Sequence, residues 1–236
     1  MSLRRHVDRL LAVSYLGLTL AACGGGTPGP VMPVGGQPVE PTVAREWVAS
    51  RKGPAPVMYR FRWLFRDPEQ SAGGRGSVRV APGDSLRLDM IGPLGAGRGG
   101  AFIVGDSSQW AEPEDEVGKL VPNYPLLWAI IGVPRLPAGT REVTRFQDQS
   151  LVAWRFVDGA DTVEYAWMAG PPARLITDVR NAGGRLGRVE TVFGPDGTLK
   201  SSRLDAPRRP ARLEITYGAS STPDAFPPDT WVRPQP

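Results

Sequence analysis

The chain has 236 residues, a formal net charge of +4 and 22% charged residues, and at that length one folded domain is the default. Its single cysteine, Cys23, excludes an internal disulfide. Basic residues such as Arg60, Arg62, Arg79 and Arg87 are spread along alternating segments instead of forming one patch, and Arg208-Arg209 reads as a loop, so nucleic acid is not expected as a partner.

At the N-terminus, Arg4, Arg5 and Arg9 precede an apolar run from Leu10 to Leu20, broken only by Ser14, Gly17 and Thr19, and small residues follow. This is the anatomy of an export signal over residues 1–22. The run is about 11 to 13 residues, short of the roughly 20 that a spanning helix needs. Leu20-Ala21-Ala22-Cys23 resembles the lipobox of bacterial lipoproteins. The resemblance implies that Cys23 carries a thioether-linked diacylglycerol and an N-acyl chain. At about 0.8 kcal/mol per buried methylene, three chains hold membrane lipid far more firmly than one myristoyl group. Gly24 stands where the proteobacterial sorting pattern places the Asp of inner-membrane retention. The expected location is therefore the outer membrane, on its periplasmic face. Removing the signal takes away His6, the only histidine, and lipidation consumes Cys23. What remains cannot build a Ser-His-Asp or Cys-His pair or a His or Cys zinc site, and no enzyme activity, cofactor or metal is expected.

Residues 23–41, from the acylated Cys23 through Pro28, Pro30, Pro33, Pro38 and Pro41, read as a flexible tether, on the order of 60 Å when extended. The domain is then expected over 42–236. Residues 42–50 predict a short helix with Thr42 as cap and Val43 and Trp47 on one face. From Val57 the period becomes two: Val57, Tyr59, Phe61, Trp63 and Phe65 face one way, and Arg60, Arg62 and Arg66 the other. The pattern recurs at Ser77–Val80, Leu86–Met90, Phe102–Val104, Val152–Phe156, Val163–Trp167, Leu175–Val179, Val189–Thr191 and Leu213–Tyr217. Turn signals at Pro82-Gly83-Asp84, Asp158-Gly159-Ala160-Asp161, Gly183-Gly184 and Pro195-Asp196-Gly197 separate the strands. The acidic group Glu112, Glu114, Asp115 and Glu116 lacks the glycine-punctuated spacing of a calcium loop and reads as a solvated turn. Pro125–Val133 is apolar on every side, opens with Pro and closes at Gly132. It reads as a short helix, either packed in the core or closing a cavity, or else as a buried strand.

Gly95-Ala96-Gly97-Arg98-Gly99-Gly100 spells a dinucleotide-type glycine motif, but a β-like run follows where such a site needs a helix. A wide turn or bulge is the better reading. The stretch Ser85–Gly95, ending Gly92-Pro93-Leu94-Gly95 and followed by the strand Ala101–Val104, is similar to the LolB family of outer-membrane lipoprotein receptors. Pro125–Pro134 resembles that family's short apolar helix, and coverage runs over residues 57–135. The resemblance to the wider LolA/LolB/LppX group implies a mainly β fold. Its antiparallel curved sheet forms an incomplete half β-barrel with one or two short helices as a lid. It implies that Leu94 sits on a membrane-insertion loop, with an ordinary turn residue as the alternative. Tyr59, Phe61, Trp63, Phe65 and Trp128 are the candidates for a hydrophobic cavity that takes acyl chains or lipoprotein cargo, delivered by a periplasmic carrier protein to a monomer. The long aromatic first strand, the Pro/Gly tether and the Arg-rich segment 185–217 depart from the family. A non-catalytic scaffold of an envelope complex is the alternative from another class.

Overall fold

A computed structural model of the chain describes residues 31–53, 55–93, 97–113, 123–208 and 210–233. The signal, Cys23, Leu94 and the acidic residues 114–116 lie outside the described residues. Strand β1 (Gln37–Pro38) and helix α1 (Pro41–Ser50) precede a first run of strands: β2 (Val57–Arg66), β3 (Ser71–Ala81), β4 (Ser85–Ile91), β5 (Arg98–Val104) and β6 (Ser107–Glu112). Helix α2 (Tyr124–Ile130) leads to a second run: β7 (Glu142–Gln147), β8 (Leu151–Asp158), β9 (Asp161–Met168), β10 (Ala173–Asn181), β11 (Gly184–Phe193), β12 (Leu199–Ala206) and β13 (Ala211–Ser221).

All the strands join one antiparallel sheet in the order β1-β7-β8-β9-β10-β11-β12-β13-β2-β3-β4-β5-β6, which does not close. The two meanders meet where β13 pairs with β2, setting Leu213 opposite Phe65, Ile215 opposite Trp63 and Tyr217 opposite Phe61. Because β6 and β7 lie at or next to opposite edges, the connection between them must cross the sheet, and it carries α2 over the concave face. Every residue of α2 from Pro125 to Ile130 is buried. Leu127 and Ile130 meet Phe61, Leu88, Leu213 and Tyr217 from strands on both sides of the β2/β13 junction. A helix apolar all round is stable only with apolar surface all round, and a sheet curved about it supplies that. The architecture is thus an open, curved, mainly β sheet, with the strands that alternation predicts and the incomplete closure that the family resemblance implies.

Several local expectations need correction. Helix α1 begins at Pro41, with Glu40 as N-cap and no side-chain cap, so Thr42 does not cap it. Pro is suited to that first position because its missing N–H would have no helical partner. The buried positions are Ala44 and Val48, while Trp47 packs at 5.4 Å from the Trp154 ring and 6.0 Å from Tyr165. Part of the segment read as tether also packs against the fold. Val31 and Met32 are buried against Ala153 and Ala166 on the convex side of β8 and β9, and Gln37–Pro38 pairs with β7. The Val31 amide donates to Glu164 Oε2 at 2.9 Å. At the other end the chain runs back over the convex side of β4–β6. There the Trp231 ring lies 5.2 Å from Phe102, its carbonyl accepts from Trp110 Nε1, and Arg87 donates to Thr230 O. Of the glycine-rich stretch, Gly97 lies between β4 and β5 with φ +71°, as a turn requires, while Arg98-Gly99-Gly100 already belong to β5 and pair with β4.

Candidate binding site

Three strand hydroxyls hold the last carbonyls of α2. Thr191 Oγ1 on β11 donates to Ala129 O at 2.6 Å, and Ser202 Oγ on β12 and Tyr217 Oη on β13 both donate to Ile130 O, the latter at 2.7 Å. At the same end Gly132 turns the chain at φ +74°, and its amide returns to Ala129 O. These donors satisfy carbonyls that a helix end leaves without intrahelical partners. On the other side Trp128 Nε1 donates to Gly105 O at 2.9 Å.

Helix α2 so held leaves little room against strands β2, β3, β4 and β13: the gap there is about 10 Å³, roughly the least that admits one water. Among the described residues a larger space lies at one mouth of the barrel. A pocket of about 380 Å³ opens between the end of α1, the start of β2, the β3–β4 turn, the end of α2 and the β11–β12 turn. Such a volume is within the range of about 300–1,000 Å³ in which small ligands are bound. Its wall is mixed, with the apolar side chains of Val57, Trp128, Ile131, Trp167, Phe193 and Leu199 beside polar and charged ones. Trp167 and Phe193 touch ring to ring at 5.1 Å.

Its rim is charged. Asp84, at φ +58° in the β3–β4 turn, is bound by Lys52 Nζ and by Arg135 Nη1, each at 2.8 Å. Burial works to raise the Asp84 pKa, but hydrogen bonds from Lys52 and Arg135 outweigh it and hold the carboxyl below the usual range. Arg51 lies over the Trp167 ring at 4.0 Å, and burial lowers its pKa. Burial likewise raises the pKa of Tyr59, which lines the same pocket.

The residues expected to form one cavity wall are divided by this geometry. Tyr59 and Trp128 line the mouth pocket. Phe61 lines the narrow inner gap, Phe65 is buried in the core, and Trp63, half-buried, donates from Nε1 to Arg75 O. Arg51, Trp167, Phe193 and Leu199 were not expected at a site. Alternation marked Trp167 as inward, but only the register across β9–β12 brings it to Phe193 and the end of α1. The cross-strand acids Glu164 and Asp178 face the convex side. Arg155 Nη2 holds Glu164 at 2.7 Å, and Arg180 Nε holds Asp178 at 2.7 Å.

No family profile and no curated protein matches the chain in sequence. Among solved structures it is similar to a domain described as an outer membrane lipoprotein-sorting protein from Vibrio parahaemolyticus. That likeness has 8% identity and a TM-score of 0.47, over 80% of this chain and 94% of that one. A LolA superfamily protein from Nitrosomonas europaea gives 7% identity and a TM-score of 0.46, over 83% and 98%. A DUF1329 family protein from Desulfovibrio piger gives 7% identity and a TM-score of 0.27, over 79% and 93%. These likenesses concern the fold alone.

Proposed function

We propose that the chain is a lipoprotein anchored through Cys23 to the periplasmic face of the outer membrane. It takes lipid, or the acyl chains of another lipoprotein, into the mouth pocket and hands them on without covalent chemistry. The observation that carries this reading is the pocket itself, a cleft of about 380 Å³ with aromatic and aliphatic side chains in its wall. Each methylene moved from water into such a wall contributes about 0.8 kcal/mol, so binding needs only dry surface. Leu94 is the residue that touches the membrane during transfer, and a periplasmic carrier is the partner that loads the pocket.

The test uses residues 24–236, exported behind an unrelated cleavable signal and purified without detergent. Mass spectrometry of the organic extract is expected to find lipid near one molecule per chain. Transfer of that lipid to vesicles is expected to fall in Leu94→Glu. An empty extract, together with no saturable uptake of a fluorescent fatty acid, overturns the carrier reading. The narrowness of the gap between α2 and strands β2, β3, β4 and β13 favours a second reading, a scaffold of an envelope complex, and a lipid-free protein that co-purifies stoichiometrically with such a complex would establish it.

A further inference from the structure

The mouth pocket has a place for a head group as well as for a chain. Arg51 stands in its wall, stacked on Trp167. Its Nε is buried without a hydrogen-bond partner, and no carboxylate lies within ion-pair distance of the guanidinium among the described residues. The other cation of the wall, Lys52, is already bound to Asp84, and Asp84, the only acid lining the pocket among the described residues, is bound a second time by Arg135. The wall therefore carries one cation more than its own acid neutralises. Arg51 as a whole is only partly buried, with its Nε closed off and unpaired, and the group that best answers the remaining N–H donors of the guanidinium is a carboxylate or phosphate able to take two of them at once. The stack on Trp167 fixes the plane of the guanidinium without using a donor for that purpose.

The volume sets the size of the rest. About 380 Å³ lies near the lower end of the range of about 300–1,000 Å³ for ligand pockets, which suits one medium chain. Three long acyl chains of a lipoprotein terminus would need several times as much.

We propose that the pocket selects a single-chain amphiphile with an anionic head, a carboxylate or a phosphate. Arg51 receives the head, and Trp128, Trp167, Phe193 and Leu199 receive the chain. This deepens the lipid-binding reading and rests on it.

The experiment measures binding of four probes with the same twelve-carbon chain to residues 24–236, which contain every described element. The probes are dodecanoate, dodecyl phosphate, dodecanol and dodecyltrimethylammonium, followed by calorimetry and by tryptophan emission. The two anions are expected to bind at least tenfold more tightly than the alcohol, and the cation more weakly than it. Arg51→Gln is expected to bring the anions to the level of dodecanol while dodecanol itself stays within about twofold, which also shows that the variant is folded. Arg51→Lys is expected to restore part of the preference. Equal binding of all four probes, or a preference that survives Arg51→Gln, overturns the anionic head while leaving lipid binding in place. Binding of none overturns both readings. A phosphate preferred over the carboxylate identifies a phospholipid-derived ligand, and the reverse a free fatty acid.

Discussion

At the scale of single residues, the end of α2 shows how a buried helix is held inside an apolar shell. Ile130 O accepts from both Ser202 and Tyr217, and a carbonyl oxygen has two lone pairs for the purpose. Loss of either donor leaves the other, so Ser202→Ala and Tyr217→Phe are each expected to cost about 1 kcal/mol. Together they leave the carbonyl buried and bare, and the double variant is expected to cost more than the sum of the two. The urea midpoints of the four proteins measure this, with an unchanged m-value as the sign that only stability has moved. Strict additivity would remove the shared-acceptor account. Of the helix-anchoring hydroxyls, those of Thr191 and Tyr217 were visible in the sequence only as strand positions, and that of Ser202 was not placed on a strand at all. Thr191 and Tyr217 fitted an inward alternation, and their use as helix anchors depends on α2 lying across β11–β13.

At the scale of elements, the approach of α2 to the sheet depends on one glycine. A Cβ built on Gly187 in β11 would meet Leu126 Cδ1 at 2.6 Å and Leu204 Cδ1 at 3.3 Å. Both leucines are fully buried and have no room to retreat. Gly187→Ala is expected to cost about 1–3 kcal/mol by overpacking. Gly183→Ala, in the β10–β11 turn, meets only the guanidinium of exposed Arg208 and is expected to change stability little. Thermal unfolding of the pair decides it, since an equal effect would mean that α2 is not seated on β11. The elements themselves were legible where alternation was strong, as in β2, β4, β8 and β9, and where glycine and proline marked turns. Strand β12 was missed because its inward row places Ser202 before Leu204 and Ala206, and hydroxyls at inward positions weaken an apolar period. Strand β7 contributes only Val143 to the buried set, and β1 is two residues long. The mouth pocket was half legible: Tyr59 and Trp128 follow from pattern, whereas Arg51 comes from a helix end whose neighbours are set by the fold.

At the scale of the whole molecule, two tyrosines tie the fold to pH. Burial drives the pKa of Tyr165 and of Tyr217 far above the ordinary phenol range, and each hydroxyl donates to a backbone carbonyl, of Arg135 and Ile130 respectively. A pKa raised by folding means that the folded state keeps protons the unfolded chain would release. The associated stability is thus whole below about pH 10, the unfolded value, and is lost as pH rises above it. Each tyrosine contributes a slope of at most about 1.4 kcal/mol per pH unit. Urea midpoints between pH 8 and 11 are expected to fall steeply at the upper end, and less steeply in Tyr165→Phe. A slope unaltered by that substitution would show that other groups govern alkaline unfolding.

The pinning of Val31 and Met32 to the back of β8 and β9 bears on how the protein stands in its membrane. With Cys23 as the proposed anchor, seven residues, 24–30, separate it from Val31, a leash of roughly 26 Å at full stretch. This is less than half the reach of the tether read from sequence. Under that proposal the flank of β8 and β9 that packs Val31 and Met32 would lie within the length of that leash from the lipid, and the attachment point would bias the angle at which the mouth meets the bilayer. Docking would then be a matter of tilt, with little search.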